Sequence, residues 1–299
     1  MIELRAGGLK LVLAPEVGGA VAAFERDGVA LFRATDAGAL AAADVRGFAS
    51  YPLVPFSNRI AAGALRWGGA SYALARFLEG EPHAIHGNGW RRKWRVVEAA
   101  RSRTSLELVH DAVGPRAREW PFPYRALQEV SLGRDALTMR LALTSTASEP
   151  SPCGLGWHPF FPRSASTELR FAATGVWETD ATKLPTRLVP LAPRFDFSAA
   201  RALGDTTLDH CFAGWHPPAF IRWPERGIAV EIDADAHCRH VVVYVPAERD
   251  YFAVEPASHM TDAFNRTRKA TDAGETGTKV LAPGETFSCT MRISVHCPA

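Results

Sequence analysis

Residues 286–295, TFSCTMRISV, alternate between apolar and polar side chains. Phe287, Cys289, Met291, Ile293 and Val295 fall on one side of an extended chain, and Ser288, Thr290, Arg292 and Ser294 on the other. Successive side chains of a strand point to opposite faces, so a period of two predicts a strand with one buried face. ALTMRLALTS repeats the pattern with Leu137, Met139, Leu141 and Leu143 inward, and TSLELV and GIAVEIDA are shorter versions of it. HVVVYVP, residues 240–246, is apolar on both faces and predicts a more central strand. Turn-formers break these runs at HDAVGPRA, SLGRDA, PERG, AERD and APGE. Short strands at this spacing predict an all-β chain of antiparallel sheets joined by hairpins and loops. ALAAADVRG, residues 39–47, predicts a short helix or turn, and the polar stretch 267–276 an exposed loop. No fixed-period repeat, linker or shift of composition divides the chain, so residues 1–299 are read as one domain.

Composition narrows the class. With 299 residues, 47% of them hydrophobic, the chain is long enough and apolar enough for a substantial core. A formal charge of +2 offers no electrostatic reason for binding nucleic acid or an anionic membrane. Five cysteines without a CxxC pair read as reduced thiols, with Cys289 a small residue on a buried face. The N-terminus shows no pattern of a secretory signal, and no window is apolar enough for a membrane span. Cytoplasmic residence is expected by exclusion.

The chemistry concentrates in PFSNRIAAGALRW, HAIHGNGWRRKW, GLGWHPFF and YFAVEPASHMTDAFN, which place His, Arg, Asn or Glu beside Trp, Phe or Pro. Aromatic faces next to charged and amide groups suit a sugar, whose ring offers C–H faces for packing and hydroxyls for hydrogen bonds. The nucleotide-binding glycine fingerprints, the nucleophile elbow and the HExxH zinc pattern are absent, and His83 and His86 lack a third ligand nearby. No metal and no cofactor are expected. Taken singly, Glu255 also fits an exposed glutamate at a strand end, His158 a structural histidine in an aromatic turn, and Asp209 a turn cap after GDTTL.

In order along residues 10–295, these motifs resemble the signatures of the aldose 1-epimerase family, the galactose mutarotases. Asn58-Arg59-Ile60 with a glycine soon after is similar to the family's NRI segment. His86-Gly87 is followed by Trp94 in a W-x-V context. His158-Pro159-Phe160-Phe161 resembles the family's histidine–proline–aromatic segment, and Glu255 with Asp262-Ala263-Phe264-Asn265 its acidic residue and DAFN-like ending. Leu208-Asp209-His210 resembles the segment carrying a sugar-binding aspartate.

The resemblance implies a large antiparallel β-sandwich and the interconversion of the anomers of a free aldohexose such as glucose or galactose. It makes Glu255 the base that takes the C1 hydroxyl proton and His158 the acid that protonates the ring oxygen, and it assigns Arg59, His86 and Asp209 to sugar binding. Glu255 is then expected near the end of a strand edged by Pro256 and ionised, with a neighbouring carboxylate favouring protonation of His158. Asp262 is expected to be structural, capping the turn before Phe264. Gly154-Leu155-Gly156-Trp157 and Gly87-Asn88-Gly89-Trp90 depart from the best-known sugar mutarotases, which points to a different natural sugar. Two alternatives follow: mutarotation of a hexose 6-phosphate, with Arg91, Arg92 and Arg125 as phosphate contacts, or carbohydrate binding without turnover. Trp90, Trp157 and Trp215 are candidate sugar platforms.

Overall fold

The computed structural model describes residues 1–267 and 275–297. Two large antiparallel sheets, of nine and eight strands, account for most of it. The nine-stranded sheet contains the runs with the clearest alternation. Ala136–Ser145 pairs with Thr286–His296 so that Leu137 faces Ile293, Met139 faces Met291, Leu141 faces Cys289 and Leu143 faces Phe287. The period of two puts these eight on one face and buries all of them. Burying each large apolar side chain contributes about 1.5–3 kcal/mol before the cost of ordering it. TSLELV lies within the strand Arg103–His110, and GIAVEIDA supplies Ile228–Ala234.

His240–Val245 runs inside the eight-stranded sheet, between Leu208–Ala213 and Tyr251–Ala257. Its double-sided apolar character follows, because both faces of that sheet are covered. Residues from both sheets share one hydrophobic core, which gives the expected all-β sandwich. The predicted short helix appears as Ala37–Ala42, followed by a single 3-10 turn at Val45–Gly47. Most of the stretch 267–276, read as an exposed loop, lies outside the described residues.

Alternation on Tyr251–Ala257 decides where chemistry can occur. Phe252 and Val254 point into the main core, whereas Ala253 packs with Tyr51 and Phe160 in a separate, smaller cluster. Glu255 has the parity of Ala253 and so projects to that second face. Glu255 lies near the strand's end, as the sequence leads one to expect, with Pro256 next to last and Ala257 last. On one side, Pro256 is opposite Val241 in the ladder. On the other, the neighbouring chain pairs only at Gly156 and again from Phe160 onward, so the missing N–H of proline falls beside an interruption of the ladder.

Candidate active site

Strand register assembles one wall of the site. Asp209 is opposite Tyr244, Tyr244 opposite Ala253, and Ala253 opposite Phe160, giving one row across four strands. Glu255 lies two residues along from Ala253 on the same face, opposite Val242. His158 sits in the break between the paired segments at Gly156–Trp157 and Phe160–Pro162. Its backbone N–H donates to the carbonyl of Tyr51 at 3.0 Å, and its ring stacks on Phe160 with centroids 4.2 Å apart.

The other wall is the loop carrying Asn58 and Arg59. Arg59 and Ile60 pair with Ile85 and Ala84, which places His86 directly beyond that short ladder. Three histidine rings hold this loop through its backbone N–H groups. Ser57 donates to Nε2 of His259 at 3.0 Å, Asn58 to Nδ1 of His86 at 3.1 Å, and Ala62 to Nδ1 of His83 at 2.9 Å. A ring nitrogen that accepts carries no proton, so His86 presents its N–H at Nε2. Burial, with the charge of Arg59 adding to it, lowers the His86 pKa to about 3, so the ring stays neutral. Asn58 and His86 both adopt left-handed backbone conformations, at φ 57° and 61°, a conformation that costs roughly 1–2 kcal/mol for a residue with a Cβ and persists only where the surroundings hold it.

These elements enclose a cavity of about 450 Å³ lined by all five predicted residues: Arg59, His86, His158, Asp209 and Glu255. At its base Nε2 of His158 is 3.2 Å from Oε1 of Glu255. Both side chains are almost fully buried, at 6% and 2% exposure. Burial raises the Glu255 pKa well above the usual carboxylate range; the charge of Asp209 adds to the rise and that of Arg59 opposes it. Burial also drives His158 well below the ordinary imidazole value, assisted by His86 and Arg33. Both shifts oppose the expected ion pair of a charged Glu255 and a charged His158. Both side chains are almost fully buried, so desolvation opposes charge separation across the 3.2 Å contact. Oε2 of Glu255 and Nδ1 of His158 have no hydrogen-bond partner, leaving polar capacity for a ligand.

Arg59 is held by partners on several sides. Its Nε donates to Glu81 at 3.1 Å, one Nη donates to the Asn58 side chain at 3.2 Å, and the other lies 3.7 Å from Asp209. Glu81 was not foreseen from the sequence. Asp262 is structural as expected, but it does not cap its own helical turn: Oδ1 accepts from the Ala61 N–H at 3.0 Å and from Nδ2 of Asn265 at 2.8 Å. This ties the DAFN segment onto the loop of Arg59.

Several candidates lie elsewhere. Trp90, Trp157 and Trp215 are buried and do not line the cavity; its aromatic lining is Tyr51, Phe160, Tyr244 and Tyr251. Arg125 is engaged by Glu107 on the nine-stranded sheet, Arg92 is paired with Glu119 at 3.1 Å, and Arg91 faces a neighbouring hollow. None of these three lines the cavity, so the phosphate contacts proposed from sequence are not assembled. Its other cationic lining is Arg33, Arg46 and Lys183, supplied by segments with no motif of their own. Arg33 is stacked 3.6 Å over Phe160 and 4.5 Å over Tyr251. Tyr251 shares strand parity with Glu255, a signal present in the sequence but passed over.

Among the described residues, Asp235, Cys238 and Cys289 form the one cluster whose ligand atoms lie within 4.8 Å of one another, and none of the three lines the cavity. The Asp235 carboxylate already accepts from the Thr290 N–H at 2.7 Å and the His237 N–H at 3.1 Å. The neighbouring Cys238 and burial keep the Cys289 thiol protonated. No helix among the described residues is long and apolar enough to cross a membrane.

Known proteins agree with this architecture. The aldose 1-epimerase family model matches residues 1–294. YphB of Escherichia coli K12, an uncharacterized protein, is 33% identical over 97% of each chain. A crystal structure from Escherichia coli K12 superposes with a TM-score of 0.88 at 28% identity, covering 99% of this chain and 98% of that one. The GalM/aldose epimerase homologue from C. elegans shares the fold at a TM-score of 0.82 and 19% identity, covering 100% of this chain and 99% of that one. The antiparallel sandwich is thus of the galactose mutarotase type, and the chain belongs to the aldose 1-epimerase family.

Proposed function

We propose that the protein interconverts the α and β anomers of a free aldohexose such as glucose or galactose. The observation that carries this reading is the His158–Glu255 pair, 3.2 Å apart and lining a sugar-sized cavity. The C1 hydroxyl and ring oxygen of a pyranose replace the contact between the two side chains. With the one proton of the pair carried by His158 and Glu255 a carboxylate, Glu255 takes the hydroxyl proton, His158 gives its proton to the ring oxygen, and the C1–O5 bond breaks as the aldehyde forms. Rotation about C1–C2 presents the other carbonyl face, and ring closure returns both protons with the roles exchanged. Atoms and charge balance without an electron acceptor, so the reaction requires neither metal nor cofactor.

In this reading Nε2–H of His86 and the guanidinium of Arg59 donate to substrate oxygens, stabilising charge as it develops. Asp209 accepts from a sugar hydroxyl. The tyrosines and Phe160 pack on the C–H faces of the ring. A free-sugar isomerase whose cysteines are unpaired suits the cytoplasm.

Polarimetry tests the proposal. Relaxation of fresh α-D-glucose, α-D-galactose and glucose 6-phosphate is followed with wild type and with Glu255→Gln. The wild type accelerates at least one free hexose, and Glu255→Gln lowers the catalysed rate by a factor of about 10²–10⁴. Full activity in the variant removes Glu255 as the base. Glucose 6-phosphate is included because Arg33 and Lys183, cations without a carboxylate partner among the described residues, line the cavity. Saturable sugar binding with no acceleration would favour a binding protein, although binding alone gives no use for an acid and a base held in contact.

A further inference from the structure

His259 is buried and does not line the acid–base cavity, yet both of its ring nitrogens are committed. Nδ1 lies 2.7 Å from the carbonyl of Met260, which can only accept, so this nitrogen carries the proton. Nε2 is left to accept, and it takes the N–H of Ser57 at 3.0 Å. Burial lowers the pKa to about 4, so the ring stays neutral and the acceptor persists. A leucine would fill the same space with no ring nitrogens to desolvate. What it could not do is accept from Ser57.

Ser57 is two residues before Arg59, and His259 is four residues after Glu255. The ring thus ties the chain that carries the base to the loop that carries the guanidinium, at a point outside the cavity. The segment leading to His158 closes round the same ring. Gly154 donates its N–H to the Pro55 carbonyl at 2.7 Å. The Leu155 N–H donates to Oγ of Ser258 at 2.9 Å, and the Ser258 N–H to the Leu155 carbonyl at 2.8 Å. A Cβ on Gly154 would stand 1.8 Å from Cδ2 of His259 and 2.3 Å from Nε2. The backbone of Gly154 is not left-handed, so the His259 ring alone bars a side chain there. The glycine before His158 is the space this ring needs.

We propose that His259 is a positioning residue for Arg59: seated in the space left by Gly154 and accepting from Ser57, it fixes the loop from which the guanidinium reaches the sugar. This rests on the reading of Arg59 as a donor to substrate oxygens and adds to it a residue that never touches the substrate. The departure at Gly154 then follows from seating this ring and not from the identity of the sugar.

His259→Gln returns an acceptor to Ser57, whereas His259→Leu fills the space without one. Polarimetry on the hexose that wild type turns over fastest, at a temperature where circular dichroism shows both variants folded, reads the difference. His259→Leu lowers kcat/KM by about 10², the scale of a misplaced binding group, and His259→Gln recovers about tenfold of it. Gly154→Ala, which drives a methyl group into the ring, loses about as much as His259→Leu. On an Arg59→Lys background, which has no planar fork to aim, the loss caused by His259→Leu shrinks to less than about twofold. Equal activity of the Leu and Gln variants, or a full loss persisting with Arg59→Lys, overturns the proposal. If wild type accelerates no sugar, the acid–base reading fails on its own, and hydrogen exchange followed by NMR judges the positioning role. The Ser57 amide and the Arg59 Nε proton then exchange at least about tenfold faster in His259→Leu than in His259→Gln; equal rates overturn it.

Discussion

The backbone N–H of Asn58 donates to Nδ1 of His86 across 3.1 Å, and this one bond assigns the imidazole proton to Nε2. The two residues share a left-handed backbone conformation and are joined again by the His86 N–H donating to the Asn58 carbonyl at 2.8 Å. A loop usually presents a histidine in either tautomer. Here the backbone has made the choice, and burial keeps the ring neutral.

Replacing His86 therefore removes a fixed donor and not a charge. His86→Ala is expected to lower kcat/KM by about 10²–10³, the usual cost of losing one preorganised donor to a developing oxyanion. His86→Gln, which can place an amide N–H near the same point, recovers part of it. Polarimetry of both variants checks this; equal loss in the two refutes the tautomer assignment.

Burial holds His158 well below the ordinary value of 6.5, so adding a second proton to the His158–Glu255 pair requires acid conditions. Removing the pair's one proton is opposed in turn by the raised pKa of Glu255. The active one-proton state thus spans a broad interval. The acid limb of kcat/KM is expected well below pH 6.5. A limb centred at or above that value would show that His158 titrates as an exposed imidazole.

Three buried histidines link folding to pH. The pKa values of His86, His240 and His259 fall from 6.5 to about 3, about 4 and about 4, with burial the largest cause in each. Below pH 6.5 the unfolded chain binds protons that the native state refuses, so stability falls as pH decreases from there towards about 4. Thermal unfolding between pH 7 and 4.5 should show a descending Tm, and His240→Gln should flatten the descent. A level Tm over that range contradicts the assignment.

Asp262 joins two distant segments through the Ala61 N–H and the Asn265 amide. Asp262→Ala leaves the partly buried N–H of Ala61 without its partner, at a cost of about 1 kcal/mol. The same change releases the loop that aims Arg59, so KM is expected to rise along with the drop in Tm. Asp262→Asn, which retains an acceptor, should lose less of both. Unfolding curves and polarimetry on the two variants separate this from a purely local effect.

The strands were legible because a half-buried strand writes its two faces directly into sequence. Phe287 through Val295 and Leu137 through Leu143 announce their shared face before any pairing is known. Register on the eight-stranded sheet is also partly written there: the parity that sends Phe252 and Val254 to the core sends Tyr251 and Glu255 to the site. Arg59, His86, His158, Asp209 and Glu255 were legible only through motifs spread along the chain, since each alone also fits a structural role.

Pairing and burial decided what remained. Sequence could not show that Pro256 lies inside a strand, because that depends on where a neighbouring segment leaves the ladder. Glu81, Tyr51, Arg33 and Lys183 join the site from loops, and no local pattern encodes which loops converge. The pKa shifts of the His158–Glu255 pair lie beyond the sequence for the same reason: the side chains are chosen by sequence, but the solvent around them is removed only by the folded chain. A pKa depends on that exclusion as much as on the neighbouring charge. The residues were thus set by the chain itself, and their electrostatic state by the tertiary structure, since desolvation has no one-dimensional signature.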